Sequence, residues 1–205
     1  KASTKSNRTL KKGDLYLVDS GGQYSFGTTD VTRTVSLDNN SKFVREVYTR
    51  VLKGHIAVSE YKIKKNSKGS DIDYSARMAL KKIGLDYPHG TGHGVGYFLN
   101  VHEGPQSLSK KNNVSLKSGM IISNEPGYYK EGYFGIRIEN LVFIKKNKFE
   151  ELTMAPIEKN LIRKNMLNKK EISWLNKYHT KVRKNLFKFM NLEEKANLID
   201  ACSPI

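Results

Sequence analysis

The stretch HGTGHGVGYFLNVHEGP, residues 89–105, is the part of the sequence that decides the fold. It holds three of the five histidines, His89, His93 and His102, and five glycines. Glycine lets the backbone approach a site closely and adopt positive φ, so this pattern predicts a functional segment. The other two histidines, His55 and His179, lie on predicted helices, and we interpret them as ordinary helix side chains.

Four acidic residues lie at or near predicted strands with apolar neighbours, on either side of this segment. Asp19 and Asp30 are 11 residues apart, and Glu125 and Glu139 are 14 apart. We therefore expect each pair to face across its own hairpin, with one carboxylate on each strand. Two such hairpins suggest an internal duplication.

Carboxylates gathered in a core repel one another. At about 4 Å and an effective dielectric constant of about 20, each pair costs about 4 kcal/mol. If the two pairs converge, divalent metal ions are the simplest remedy, and four carboxylates with one imidazole suit ions of the Mn²⁺ class. The alternative is that each pair is separate, solvated or paired with lysine.

The remaining pattern predicts a mixed α/β chain. Strands are expected at 15–19, ended or bent by the glycines that follow Ser20, and at 28–37. Amphipathic spacing predicts helices over 41–62 and from Ser70 to a stop at Gly84. Further strands are expected at 120–123 and 134–144, a boundary at 153–156, and capped helices after Asn168 and Asn191.

Composition excludes several classes of protein. The single cysteine rules out a disulfide framework and a cysteine-based metal site, and no apolar run approaches the length of a membrane span. The net charge of +16 could indicate nucleic-acid binding, but only 8 of the 36 basic residues are arginine and the lysines are scattered. We therefore expect a soluble protein of a reducing compartment that binds neither membrane nor nucleic acid.

Five motifs, in order along nearly the whole chain, resemble aminopeptidase P, the Xaa-Pro aminopeptidase group of the creatinase/methionine-aminopeptidase superfamily. The chain from residue 156 to 205 resembles the extra C-terminal segment of the longer, cytosolic-type enzymes. The motifs are DSGGQY at 19–24, DVTRT at 30–34, the stretch at 89–105, SNEPG at 123–127 and GIRIEN at 135–140.

The resemblance implies an α/β pita-bread fold with pseudo-two-fold halves. Residues 1–150 would form the catalytic domain and residues 151–205 a small helical C-terminal extension. Because the family has more elements before the first carboxylate than this chain does, we expect an N-terminally truncated domain with an incomplete first half. We also expect this chain alone to have weak or no activity.

The resemblance also implies a site with two divalent metal ions, foremost Mn²⁺, with Co²⁺ or Zn²⁺ as alternatives. Five positions match the family's metal ligands, and Asp30 and Glu139 would bridge both ions. The five are Asp19, Asp30, His93, Glu125 and Glu139.

Four positions match residues with catalytic roles in the family. His89 and His102 match non-ligand active-site histidines, and Glu125 matches the residue that passes a proton to the leaving nitrogen. Arg137 shares the strand face of Glu139 and is expected to orient its carboxylate. The implied reaction is release of the first residue from peptides with proline in the second position, by attack of a hydroxide held between two metal ions.

Several readings stay open at this point. Prolidase, which cleaves dipeptides only, and methionine aminopeptidase share the superfamily, and an inactive or weakly active peptide-binding relative is a third alternative. The resemblance implies a cytoplasmic location, and a homodimer of the full-length protein is an open alternative.

Overall fold

The structure is a computed structural model that describes residues 3–205. This part of the chain has four α-helices and nine β-strands, and the strands form four short sheets of two or three strands each. The elements are β1 (Leu15–Tyr24), β2 (Gly27–Ser36), α1 (Lys42–Ser59), α2 (Gly69–Lys81), β3 (Gly92–His93), β4 (Ser107–Leu108), β5 (Ile121–Asn124), β6 (Gly127–Lys130), β7 (Phe134–Arg137), β8 (Asn140–Lys145), β9 (Lys148–Glu151), α3 (Lys169–Leu186) and α4 (Leu192–Ala201).

The first hairpin differs from the prediction in length and register. The strand β1 does not end near Ser20 but continues to Tyr24, because a glycine at position 21 allows close pairing: a Cβ there would lie 2.7 Å from the carbonyl oxygen of Thr29. Asp19 pairs with Thr32, not with Asp30. The expectation that the two aspartates face each other directly is therefore wrong, because the turn lies one residue later than predicted. The aspartates remain diagonal neighbours on one face of the hairpin.

The second hairpin keeps the predicted register. The pairs β6–β7 and β5–β8 share the same antiparallel register, and this register places Glu125 opposite Glu139. The strand predicted over 134–144 is interrupted, however, between β7 and β8. There the Glu139 backbone N–H donates to Thr32 O of β2 (3.1 Å), so the break joins the two hairpins.

Helices α1 and α2 form where the apolar spacing predicts them. The Ser41 hydroxyl accepts a hydrogen bond from the Val44 backbone N–H (3.2 Å) and caps α1. Tyr48 and Leu52 of α1 are fully buried in the main hydrophobic core. His55 is buried on the same helix, away from the carboxylates, as expected for a helix side chain.

The C-terminal helices begin at the predicted caps. Asn168 and Glu171 form a capping box at α3, and Asn191 and Glu194 form one at α4. The buried face of α3 belongs to the same hydrophobic cluster as α1, so residues 151–205 pack against the rest of the chain. Among the helices of residues 3–205, none is long and apolar enough to cross a membrane.

Candidate metal centre

The four carboxylates and the glycine-flanked histidines meet at the junction of the two hairpins. Three groups of side chains each have ligand atoms within 4.8 Å of one another. Asp30 and Glu139 each belong to two groups, which is the arrangement that a bridging carboxylate requires. The groups are Asp19–Asp30–Glu139, His93–Glu125–Glu139 and Asp30–His93–His102.

His93 faces two carboxylates with its Nε2 ring nitrogen. Its Nδ1 lies 2.9 Å from Gly94 O, so the tautomer that donates there leaves a lone pair on Nε2. That Nε2 lies 3.4 Å from an oxygen of Asp30 and 3.5 Å from one of Glu125. Three acceptors that face one another need a cation between them, either a proton or a metal ion. Burial disfavours the imidazolium, but Asp30 and Glu125 outweigh it and raise the pKa of His93.

The two glutamates are crowded in the absence of a cation. Burial, followed by the charge of Glu125, raises the pKa of Glu139 to about 8, although a hydrogen bond from Thr32 opposes the rise. Burial also raises the pKa of Glu125. Divalent cations would supply the missing positive charge, and oxygen ligands with one imidazole fit a metal of the Mn²⁺ class. The residues present therefore fit a metal site.

Arg137, which is expected to orient the Glu139 carboxylate, reaches it through Thr32 and also binds Asp19. Its Nη2 donates to Asp19 Oδ2 (2.5 Å), because the guanidinium points toward the first hairpin. Its Nε donates to the Thr32 hydroxyl (3.0 Å), and that hydroxyl donates to Glu139 Oε2 (2.6 Å). Arg137 therefore orients Asp19 itself and reaches Glu139 only through Thr32.

The other two predicted catalytic histidines lie on different sides of the cluster. His102 is exposed and stands edge-on to His93, with ring centroids 4.1 Å apart. His89 is half-buried, with Nδ1 2.7 Å from Gly90 O and Nε2 2.9 Å from the Tyr129 hydroxyl. Burial lowers the pKa of His89, so its neutral form is favoured. Arg137 also donates to Tyr129 (2.8 Å), which links His89 to Asp19.

A buried ion pair in α2 holds the segment that carries these histidines. Asp73 is fully buried and accepts hydrogen bonds from the Thr91 hydroxyl (2.8 Å) and from Arg77. Arg77 in turn donates to His89 O (2.5 Å), and Thr91 O accepts from the Glu125 backbone N–H (2.8 Å). The helix α2 therefore fixes the backbone on which His89 and Glu125 stand.

Sequence reasoning missed Thr32, Tyr129, Asp73 and Arg77. Strand parity could have found the first two, because Thr32 follows Asp30 by two residues and Tyr129 follows Glu125 by four. The spacing of four between Asp73 and Arg77 indicates a helical ion pair, but nothing in it points to the site.

The sequence matches models of a known enzyme family. A sequence model of metallopeptidase family M24 matches residues 1–146, and a model of the C-terminal region of peptidase M24 matches residues 146–205. The chain therefore belongs to metallopeptidase family M24.

Within that family, the chain is similar to Xaa-Pro aminopeptidases. It is 49% identical over 185 residues to the probable Xaa-Pro aminopeptidase P of Laccaria bicolor, covering 83% of this chain and 29% of that protein. It is 46% identical over 205 residues to Xaa-Pro aminopeptidase 1 of Dictyostelium discoideum, covering 94% of this chain and 32% of that protein. The chain thus spans about a third of the length of the curated relatives it matches.

The solved structures that resemble this chain include an X-prolyl aminopeptidase and a prolidase. The X-prolyl aminopeptidase of Caenorhabditis elegans, described as a cytosolic enzyme with a di-nuclear active site, matches with a TM-score of 0.94 and 40% identity over 100% of this chain and 36% of that one. The prolidase of Pyrococcus furiosus matches with a TM-score of 0.67 and 33% identity over 73% of this chain and 44% of that one. These matches confirm the predicted α/β pita-bread fold and the resemblance to Xaa-Pro aminopeptidases.

Proposed function

We propose that the chain carries the catalytic centre of a metal-dependent aminopeptidase that releases the first residue from peptides with proline in second position. The observation that supports this most directly is the cluster itself, in which a ring nitrogen of His93 and four carboxylates converge with Arg137 as the one arginine ion-paired to them in residues 3–205. Such a donor set is costly unless it binds cations.

The proposed ligands are the five that the sequence predicts. Asp19, Asp30 and Glu139 would hold one ion, and His93, Glu125 and Glu139 the other, with Asp30 shared between them. When bound, two such ions supply Lewis acidity and acidify a water molecule for attack on an amide. The metal that we propose is Mn²⁺, with Co²⁺ and Zn²⁺ as alternatives, because oxygen ligands dominate the set.

The remaining side chains have roles that follow from their positions. The exposed His102 beside His93 can donate a hydrogen bond to the substrate carbonyl oxygen as negative charge develops there. Glu125, which lies at the cluster beside His93, can carry a proton to the leaving proline nitrogen. This step matters because the Xaa-Pro bond is a tertiary amide whose nitrogen has no hydrogen of its own. Burial favours the neutral form of His89, whose ring nitrogens face Gly90 O and the Tyr129 hydroxyl. Its proposed role in handling the substrate therefore requires that the substrate replace one of these partners, such as the Tyr129 hydroxyl.

A metal analysis tests the site. The unmodified chain should bind about two Mn²⁺ ions, and Glu139→Gln should lose them, since this residue belongs to both ligand groups. Glu131→Gln is the matched control, because Glu131 is exposed in the turn between β6 and β7. Absence of metal binding by the unmodified chain, or normal binding by Glu139→Gln, would contradict the proposed site.

Substrate length separates this function from that of a prolidase. The C. elegans aminopeptidase match extends over the whole chain including residues 151–205, whereas the P. furiosus prolidase match covers 73% of it. We therefore expect Mn²⁺-dependent cleavage of Xaa-Pro-Xaa peptides by the full-length protein, since this chain alone is expected to have weak or no activity. Cleavage of Xaa-Pro dipeptides only would favour a prolidase, and binding of peptides without cleavage would favour the weakly active, peptide-binding alternative.

The cellular setting is part of the same proposal. We propose a cytoplasmic protein, because the C. elegans relative is described as cytosolic. Its partners would be peptides with penultimate proline, with no nucleic acid or membrane, and a homodimer of the full-length protein is an open alternative. The division into residues 1–150 and 151–205 is also part of the proposal, and the separate matches of residues 1–146 and 146–205 to two family models support it. Size measurement of the full-length protein tests the dimer.

A further inference from the structure

A buried guanidinium lies directly behind the candidate metal centre. Arg33 of β2 is 8% exposed, and among residues 3–205 no carboxylate lies within ion-pairing distance of it. Its five N–H groups instead face six neutral acceptors. These are Thr32 O (2.8 Å), Glu139 O (2.5 Å), Asn140 Oδ1 (2.7 Å), Ala155 O (2.8 Å), Pro156 O (2.8 Å) and the Tyr178 hydroxyl (3.0 Å).

These acceptors belong to two parts of the molecule. Three come from the residues around the metal centre, including the backbone carbonyl of the candidate ligand Glu139 and that of Thr32, whose hydroxyl donates to the Glu139 carboxylate. The other three come from the C-terminal segment, including Tyr178 on α3. A single side chain thus holds both parts.

The shape of the guanidinium makes this contact rigid. Its donors lie in one plane in a fixed fork, so a shift of the acceptors on one side displaces the donors on the other. A buried charge also cannot leave its acceptors unpaired without a large cost, because water does not replace them. The position of α3 is therefore transmitted to the backbone of Glu139.

We propose that Arg33 is a positioning residue, through which the C-terminal segment holds Glu139 in its metal-binding position. This inference rests on the proposed metal-dependent function. It gives residues 151–205 a role at the metal centre that they fulfil without contributing a ligand.

Tyr178→Phe tests the inference with a small change. It removes the hydroxyl that accepts from Arg33 but keeps the ring, which is stacked on Trp174 with centroids 5.4 Å apart. We expect Mn²⁺ affinity, measured by calorimetric titration, to fall about tenfold, the lower end of the loss seen when partners of metal ligands are removed. Tyr48→Phe is the matched control, because within residues 3–205 this buried hydroxyl on α1 has no hydrogen-bond partner, and it should bind Mn²⁺ within about twofold of the unmodified chain.

A double-mutant cycle then tests the route through Arg33. In an Arg33→Lys background, where one ammonium replaces the fork, Tyr178→Phe should lower Mn²⁺ affinity by less than twofold further. Urea unfolding of each metal-free variant verifies that it is folded; if Arg33→Lys is not, the comparison of Tyr178→Phe with Tyr48→Phe decides alone.

The outcomes are distinct. If the unmodified chain and Tyr178→Phe bind Mn²⁺ equally well, Tyr178 and Arg33 are only structural and the inference is overturned while the metal site stands. If the unmodified chain binds no Mn²⁺, the proposed function fails and the inference fails with it.

Discussion

Replacing Glu139 by glutamine should stabilise the metal-free chain while abolishing its response to metal. Glu139 is 2% exposed, and burial together with the charge of Glu125 raises its pKa from 4.5 to about 8. Because the folded protein then binds a proton that the unfolded chain has released, folding stability falls as the pH rises from 4.5 to 8.

The magnitude follows from the width of that window. Each pH unit inside it lowers the free energy of unfolding by about 1.4 kcal/mol, and by less near its two ends, where the group is only partly titrated. Between pH 4.5 and 8 the loss therefore sums to about 4 kcal/mol. Glutamine removes the charge and keeps an oxygen for the Thr32 hydroxyl. With a discount for the imperfect hydrogen bonds of the amide, we expect Glu139→Gln to be about 3 kcal/mol more stable, or roughly 6–12 °C higher in Tm.

The assay is urea unfolding at pH 8, with chelator and then with Mn²⁺. Mn²⁺ at about 100 times its Kd should stabilise the unmodified chain by about 2.7 kcal/mol and leave Glu139→Gln unchanged. Glu131→Gln, exposed in a turn, should behave as the unmodified chain in both conditions. The reasoning is refuted if metal-free Glu139→Gln is no more stable than the unmodified chain, or if Mn²⁺ stabilises both equally.

Three further predictions concern the surroundings of the site. Burial lowers the pKa of His179 from 6.5 to about 4, so the free energy of unfolding, measured with urea, should fall as the pH drops through that range. The variant His179→Gln should not show this contribution to the pH dependence. Gly92→Ala should fail to fold, because the added Cβ would lie 1.8 Å from Ser123 O, whereas Gly27→Ala, where the added Cβ meets open space, should fold normally. Circular dichroism checks both. Arg137→Lys cannot keep all three side-chain partners and should weaken Mn²⁺ binding at least tenfold in calorimetry; unchanged affinity would contradict its role.

The sequence is a good guide wherever the cause of the structure is local. The capping boxes at Asn168 and Asn191 predict where α3 and α4 begin, because the cap and its partner are three residues apart. The spacing of Glu125 and Glu139 predicts the register of the second hairpin correctly, because its turn lies midway between these two residues.

The failures arise where distant segments meet. Nothing near Glu139 indicates that its backbone N–H pairs with Thr32 O, 107 positions away, although this contact interrupts the strand. In the first hairpin, a shift of the turn by one residue moves Asp19 from Asp30 to Thr32, which the spacing of two aspartates cannot reveal.

Arginine and lysine occupy different environments in this protein, which the net charge of +16 does not reveal. Three of the eight arginines, Arg33, Arg77 and Arg137, donate to backbone or side-chain atoms at or next to the candidate metal centre. Among residues 3–205, Arg33 and Arg77 are buried and no lysine is. A planar fork can satisfy several acceptors at fixed angles, whereas a lysine supplies one mobile ammonium. These three arginines therefore donate the hydrogen bonds around the acidic centre, and the 28 lysines contribute most of the positive charge elsewhere.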